Sequence, residues 1–173
     1  GSGTILTEGA MLANNIAPGI NRNFDVDRWG FVDQSVWISE RQRCHDLIKT
    51  DTDFVAFGSD IDPKCVELTK QNAKNIKVDK FLRLSVCDIK NFAPSSEKGT
   101  LVTNPPYGER MLDLREAERI YSIMGDKFVS KYGWSYGIIS PDEEFEKCFK
   151  RKADKRRKLY NGMIKCQYYM YFK

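Results

Sequence analysis

Thr100-Leu-Val-Thr-Asn104-Pro105-Pro106-Tyr107-Gly108-Glu109-Arg110 is the stretch whose reading decides the fold. Its apolar pair, Leu101-Val102, stops abruptly at Asn-Pro-Pro-Tyr. Proline lacks an N–H and holds φ near about −65°. The residue before each proline is pushed toward extended geometry. A strand therefore ends here, and the backbone beyond it is stiff. A stiff turn fixes the Asn104 amide and the neighbouring carbonyls as hydrogen-bond acceptors, with the flat ring of Tyr107 beside them. Acceptors next to an aromatic plate suit a planar molecule with an exocyclic amine, such as a nucleobase. The same string also reads as a Pro-rich loop with a surface tyrosine, so the rest of the chain has to decide.

Outward from that stretch, strands and helices alternate. Gly1-Ser2-Gly3-Thr4 opens a helix over Ile5 to about Ala17, which Pro18-Gly19 terminates. A glycine-rich helix start lets backbone N–H groups approach a ligand closely, with the positive helix end behind them. Asn21–Val32 is a loop. Asp33 caps a helix to about Thr50, with Val36, Cys44, Leu47 and Ile48 on one face. Asp53–Gly58 is an apolar run fit for a strand buried on both sides. Asp62 is an N-cap with Pro63 as the first helical residue of a helix to about Asn75. Lys80–Val86 is the next strand and ends at Cys87-Asp88-Ile89. After the strand over Thr100–Thr103, residues from Leu114 to Tyr132 trace one apolar helix face. Trp134–Ser140 is a strand, and Pro141 starts a helix to about Lys150. The chain closes on a hairpin, Arg157–Tyr160 and Met163–Phe172, with Asn161-Gly162 as the turn signal. This order predicts an α/β fold: a doubly wound, mostly parallel sheet with a C-terminal antiparallel hairpin. No repeat, low-complexity segment or linker interrupts it, so residues 1–173 read as a single domain.

Composition fits that reading. The 173 residues are 41% hydrophobic and 30% charged, as in ordinary globular chains with a core. No apolar run approaches the roughly 20 residues of a membrane helix, and no basic, apolar leader opens the chain. Neither a membrane partner nor a secreted location is expected. The five cysteines form no CxxC pair and His45 is the only histidine, so no metal site is expected. Free thiols fit a reducing cytoplasm. Net charge is +4, from 28 basic and 24 acidic residues. Its distribution says more: Lys147, Lys150, Arg151, Lys152, Lys155, Arg156, Arg157 and Lys158 face one acid, Asp154, within Lys147–Lys158. Such a run suits a phosphate backbone; it also suits a solvated helix end and an edge strand guarded by lysines.

Four features fall at strand ends in order: the Gly-rich turn, Asp60, Asp88 and Asn104–Tyr107. Open α/β sheets bind ligands outside the carboxyl ends of their strands. A carboxylate after the second strand suits a ribose diol, and one after the third suits an adenine amino group. Each aspartate alone also reads as a cap or turn residue.

Gly-Ser-Gly-Thr, Ala17-Pro18-Gly19-Ile20, Arg28-Trp29, Gly58-Ser59-Asp60-Ile61-Asp62 and Asn-Pro-Pro-Tyr-Gly-Glu-Arg together resemble the ribosomal RNA guanine-N2 methyltransferase family. These are Rossmann-like, S-adenosylmethionine-dependent enzymes with an RNA-binding THUMP domain upstream. The resemblance covers almost the whole chain. The family places a strand ending in Asp-Pro and two more residues ahead of Gly-Ser-Gly-Thr, so the chain is expected to be truncated just after its first strand. The resemblance implies methyl transfer to the exocyclic N2 of a guanine, with Asn104, Pro105 and Tyr107 at the chemistry. It implies that Gly1, Ser2, Gly3, Asp60, Ile61, Asp88, Ile89 and Asn104 hold S-adenosylmethionine. Arg110, Lys155, Arg156, Arg157 and Lys158 are candidates for RNA phosphates. Adenine N6 in DNA or RNA, or a protein glutamine amide, presents a similar planar amine. An inactive RNA-binding fragment is the remaining alternative.

Overall fold

The computed structural model describes residues 1–94, 96–108, 114–128 and 133–172. They fall into two units, Gly1–Val86 and Cys87–Lys173.

In the first unit, helix α1 (Thr4–Ala13) is followed by α2 (Gln34–Asp46), strand β1 (Ala56–Asp60), helix α3 (Pro63–Asn75) and strand β2 (Leu82–Val86). The parallel pair β1–β2 runs in register from Ala56↔Leu82 to Asp60↔Val86. Asp62 caps α3 by accepting from the Lys64 N–H at 2.8 Å, with Pro63 behind it, as the sequence predicts. The core is small: Ala10, Met11, Ala73, Val78, Phe81 and Leu82.

Three expectations change here. Helix α1 ends at Ala13, short of Ala17, because the buried Asn14 amide bonds back to the Ala10 carbonyl at 2.7 Å. Asn15 then turns left-handed at φ 54°. Helix α2 ends at Asp46 and buries none of its residues; Val36 and Leu47, expected on an inner face, are exposed. Strand β1 starts three residues later than expected and ends two later, and it alternates between half-buried and exposed, with Phe57 exposed. It is not buried on both faces: Ala56, Gly58 and Asp60 are half-buried, whereas Phe57 and Ser59, on the opposite face, are exposed.

In the second unit the strand order is β3-β4-β6-β5. Strand β3 (Gly99–Thr103) lies parallel to β4 (Trp134–Ser140), and β6 (Ile164–Tyr171) runs antiparallel to both β4 and β5 (Lys155–Asn161). Helix α4 (Leu114–Lys127) and the one-turn helix α5 (Phe145–Cys148) complete it. The core is aromatic: Tyr121, Phe128, Tyr136, Phe145, Phe149, Tyr169 and Tyr171 are all buried. Phe128 stacks on Tyr136 with ring centres 5.1 Å apart. Val129 and Tyr132, read as the end of the α4 face, lie outside the described residues.

Two expectations change in this unit. Pro141 does not start a helix: Asp142 accepts from the Glu144 N–H at 2.8 Å, and that turn delays α5 to Phe145. The hairpin turns at Gly162-Met163 rather than Asn161-Gly162, since Asn161 pairs with Ile164. Gly162 has φ 61°, whereas Asn161 is not among the positive-φ residues. Glycine first and an ordinary residue second is what a type II′ turn requires; Asn-Gly at the tip would need two positive φ values. The reason lies in the pairing. A turn at Asn161-Gly162 would set Lys158 opposite Lys165, two like charges face to face. The observed register sets Lys158 opposite Gln167 and Tyr160 opposite Lys165.

Candidate active site

Strand β3 delivers Asn104 one residue past its last paired position. Asn104 is exposed, Pro105 buried and Tyr107 half-buried. The loop is held at three points. The buried Tyr121 hydroxyl, on α4, donates to the Pro106 carbonyl at 3.1 Å and accepts from the Ser140 hydroxyl at 3.3 Å. Burial pushes the Tyr121 phenol up to about 12, so it stays a neutral donor. With Pro106 occupied, no described residue donates to the Pro105 carbonyl.

The Tyr107 hydroxyl donates to Asn104 Oδ1 in a short hydrogen bond. It accepts from Asn161 Nδ2 at 3.3 Å, and Cys166 Sγ lies 3.9 Å away. Burial raises the Tyr107 pKa, and the Asn161 bond opposes that shift. Asn161 and Cys166 are the members of this cluster that sequence reading misses. Asn161 was absorbed into a turn, and Cys166 lies 59 residues from its tyrosine.

In the same unit Asp88 caps the short turn Ile89–Asn91, accepting from the Lys90 N–H at 2.9 Å with Lys90 Nζ at 3.2 Å. Those contacts, the backbone one first, hold its carboxyl below the usual range. Ile89 packs against the aromatic core.

In the first unit Gly3 stands at the N-terminus of α1 with φ 77°, and no side chain caps the helix. A Cβ there would collide with the Thr69 methyl group. Side chains of α3 hold the approach: Asn72 Nδ2 donates to the Ser2 carbonyl at 2.9 Å, and the Thr69 hydroxyl shares its one proton between the Cys65 carbonyl at 2.9 Å and the Gly1 carbonyl at 3.2 Å. Asp60, the last residue of β1, accepts from the Asp62 N–H at 3.0 Å. Ile61 beside it is exposed. This is a donor-rich helix start without a side-chain cap, with a carboxylate at the end of the adjacent strand, a set that fits an amino-acid and ribose moiety.

Lys155, Arg156, Arg157 and Lys158 lie in sequence on β5, all exposed, so Lys155 and Arg157 share one face and Arg156 and Lys158 the other. They are not equivalent. Arg156 is bound to Glu146, with Nε 2.9 Å from Oε1. Lys158 sits 5.2 Å over the Tyr160 ring. Arg110 lies outside the described residues. Among the described residues no acid, histidine and cysteine cluster could hold a metal, and no helix is long and apolar enough to cross a membrane.

Residues 1–170 match the UPF0020 family model, described as "RMKL-like, methyltransferase domain". Ribosomal RNA large subunit methyltransferase K/L of Shewanella baltica (strain OS155) is 38% identical over 176 residues, covering 99% of this chain and 25% of that protein. The crystal structure of SMU.472, solved in complex with SAH, superposes with a TM-score of 0.94 at 37% identity, covering 99% of this chain and 46% of that one. A structure from Listeria monocytogenes str. 4b F2365, described as a "predicted N6-adenine-specific DNA methylase", superposes with a TM-score of 0.90 at 35% identity, covering 99% and 44%. The chain thus spans about a quarter to under a half of the length of these proteins. With the match running along nearly every residue, the chain belongs to the RMKL-like methyltransferase domain family and has its Rossmann-like α/β fold.

Proposed function

We propose that this domain transfers the methyl group of S-adenosylmethionine to the exocyclic N2 amine of a guanine in ribosomal RNA. The observation that carries the reading is the Asn104–Tyr107 corner: a strand end with two prolines, a carboxamide oxygen, a carbonyl to which no described residue donates and an aromatic ring. S-adenosylmethionine supplies an electrophilic methyl on a sulfonium. The amine's lone pair is conjugated into the base. Asn104 Oδ1 and the Pro105 carbonyl accept from its two N–H groups, favour a pyramidal nitrogen and free the lone pair. The nitrogen–methyl bond forms as the sulfur–methyl bond breaks, and one N–H proton then leaves to water. Strong bases are unnecessary; positioning supplies much of the rate.

The Tyr107 ring stacks on a target base that has left its helix, a contact worth about 1–3 kcal/mol. Asp60 accepts from the ribose hydroxyls and Ile61 covers the adenine, while Gly1 to Gly3 border the amino-acid portion. Asp88 and the backbone at Ile89 receive the adenine amino group. Arg110 and the β5 run, Lys155 to Lys158, contact RNA phosphates. In the full-length, cytoplasmic protein an upstream THUMP domain shares the grip on RNA.

Adenine N6 is the second reading, favoured by the name of the Listeria neighbour. One assay separates them. The full-length protein and tritiated S-adenosylmethionine are offered ribosomal RNA from cells lacking the gene, transfer RNA, DNA or protein, and labelled nucleosides are identified after digestion. N2-methylguanosine from ribosomal RNA is the expected product. N6-methyladenine in DNA or RNA, or label in protein, overturns the guanine assignment. No label in any acceptor overturns the enzyme reading.

A further inference from the structure

The Asn104–Tyr107 corner does not stand by itself. Asn161, the last residue of β5, reaches it from 54 residues away along the chain. Its sequence context reads as a turn, yet the turn is made by Gly162-Met163, and Asn161 has no left-handed backbone to sustain. Its side chain is therefore free of turn duty, and it donates to the Tyr107 hydroxyl at 3.3 Å.

Direction matters in this chain of bonds. A phenol has one proton to give. Asn161 Nδ2–H bonds to the phenolic oxygen, so that single proton is left for Asn104 Oδ1. Were Asn161 to present its own carbonyl oxygen, two amide oxygens would compete for one proton. The observed order, Asn161 to Tyr107 to Asn104, turns Oδ1 of Asn104 toward Tyr107 and leaves that oxygen's second lone pair for a substrate N–H. Cys166 Sγ, 3.9 Å from the same hydroxyl, is on the other strand of the hairpin. Both strands of the hairpin thus reach the one hydroxyl that orients the carboxamide.

We infer that Asn161 is a positioning residue for methyl transfer, acting through the Tyr107 hydroxyl on the carboxamide of Asn104. This rests on the methyl-transfer reading above.

The test uses full-length protein, saturating tritiated S-adenosylmethionine and ribosomal RNA from cells lacking the gene. Asn161→Ala lowers kcat about tenfold, the size of one lost hydrogen bond, with the KM for RNA and the melting temperature nearly unchanged. Asn161→Asp, matched in size but an acceptor, draws the phenolic proton away from Asn104 and is at least as slow. Adding Asn161→Ala to Tyr107→Phe causes no further loss, because the hydroxyl through which it acts is gone. Unchanged kcat in Asn161→Ala, a change confined to the KM for RNA, or full additivity with Tyr107→Phe overturns the inference. Asn104→Ala in the same assay separates the two levels: if it keeps full turnover, the reading of the corner itself fails, whatever Asn161 does.

Discussion

Two strand ends in this molecule are built from opposite chemistry. The corner after β3 is poor in donors: two prolines, a carboxamide oxygen and the Pro105 carbonyl, to which no described residue donates. The corner at the start of α1, beside the end of β1, is rich in donors: a glycine at φ 77°, an uncapped helix start and N–H groups around the Asp60 carboxylate. They are also held differently. The first hangs on the aromatic core through Tyr121 and on the hairpin through Asn161. The second is held by two polar side chains of α3, Thr69 and Asn72. The difference teaches which partner each suits. On the function proposed above, the acceptor corner takes an amine, and the donor corner with one acid takes a carboxylate and a diol.

If that contrast is right, substitutions at the two corners alter different constants. Asn104→Ala has the largest effect, lowering single-turnover methyl transfer by on the order of a hundredfold, similar to removing a preorganised charge-stabilising group. Gly3→Val strains a left-handed backbone and strikes Thr69. It weakens cofactor binding by on the order of a hundredfold or less, about 1–3 kcal/mol, and leaves RNA affinity alone. Asp60→Asn raises the cofactor Kd by about tenfold in titration calorimetry, the loss of charge in one hydrogen-bonding set. Loss of turnover at saturating cofactor from either of the last two would blur the division.

Smaller effects sharpen it. Arg157 has no ion pair among the described residues, and changing it to Ala reduces the salt slope of RNA binding by about 1. Arg156, bound to Glu146, changes the slope less. The smallest is a pH effect. The Asp88 carboxyl is held below its ordinary range, so its stabilisation is complete above the unfolded value near about 4 and is lost as pH falls through the lower folded value. Melting curves of the parent and Asp88→Asn therefore converge below about pH 4. A gap that persists there contradicts this role for Lys90.

Local signals were readable in the chain, and long-range ones were not. Asp62-Pro63 announces a helix start because its chemistry is complete within four residues. Asn104-Pro105-Pro106 ends a strand for the same reason. Helix α2 forms behind its Asp33 cap, but its apolar spacing predicts a face without saying whether anything covers it; here Val36 and Leu47 are exposed. The hairpin forms as expected, but its turn lies one residue further on, because a strong turn dipeptide lost to a pairing in which Lys158 and Lys165 do not face each other. That one-residue shift also hid Asn161. A residue's bond to a partner 54 positions away leaves no trace in local spacing.

The central claim is that Asn104, which the family resemblance puts in both the catalytic and the cofactor-holding sets, acts on the amine and not on cofactor affinity. The most direct measurement titrates S-adenosylhomocysteine into full-length Asn104→Ala protein and follows single-turnover methyl transfer in the same preparation. The account predicts a cofactor Kd within about twofold of the parent alongside a rate reduced by on the order of a hundredfold. An unchanged rate, or a Kd that weakens in step with the rate, would contradict it.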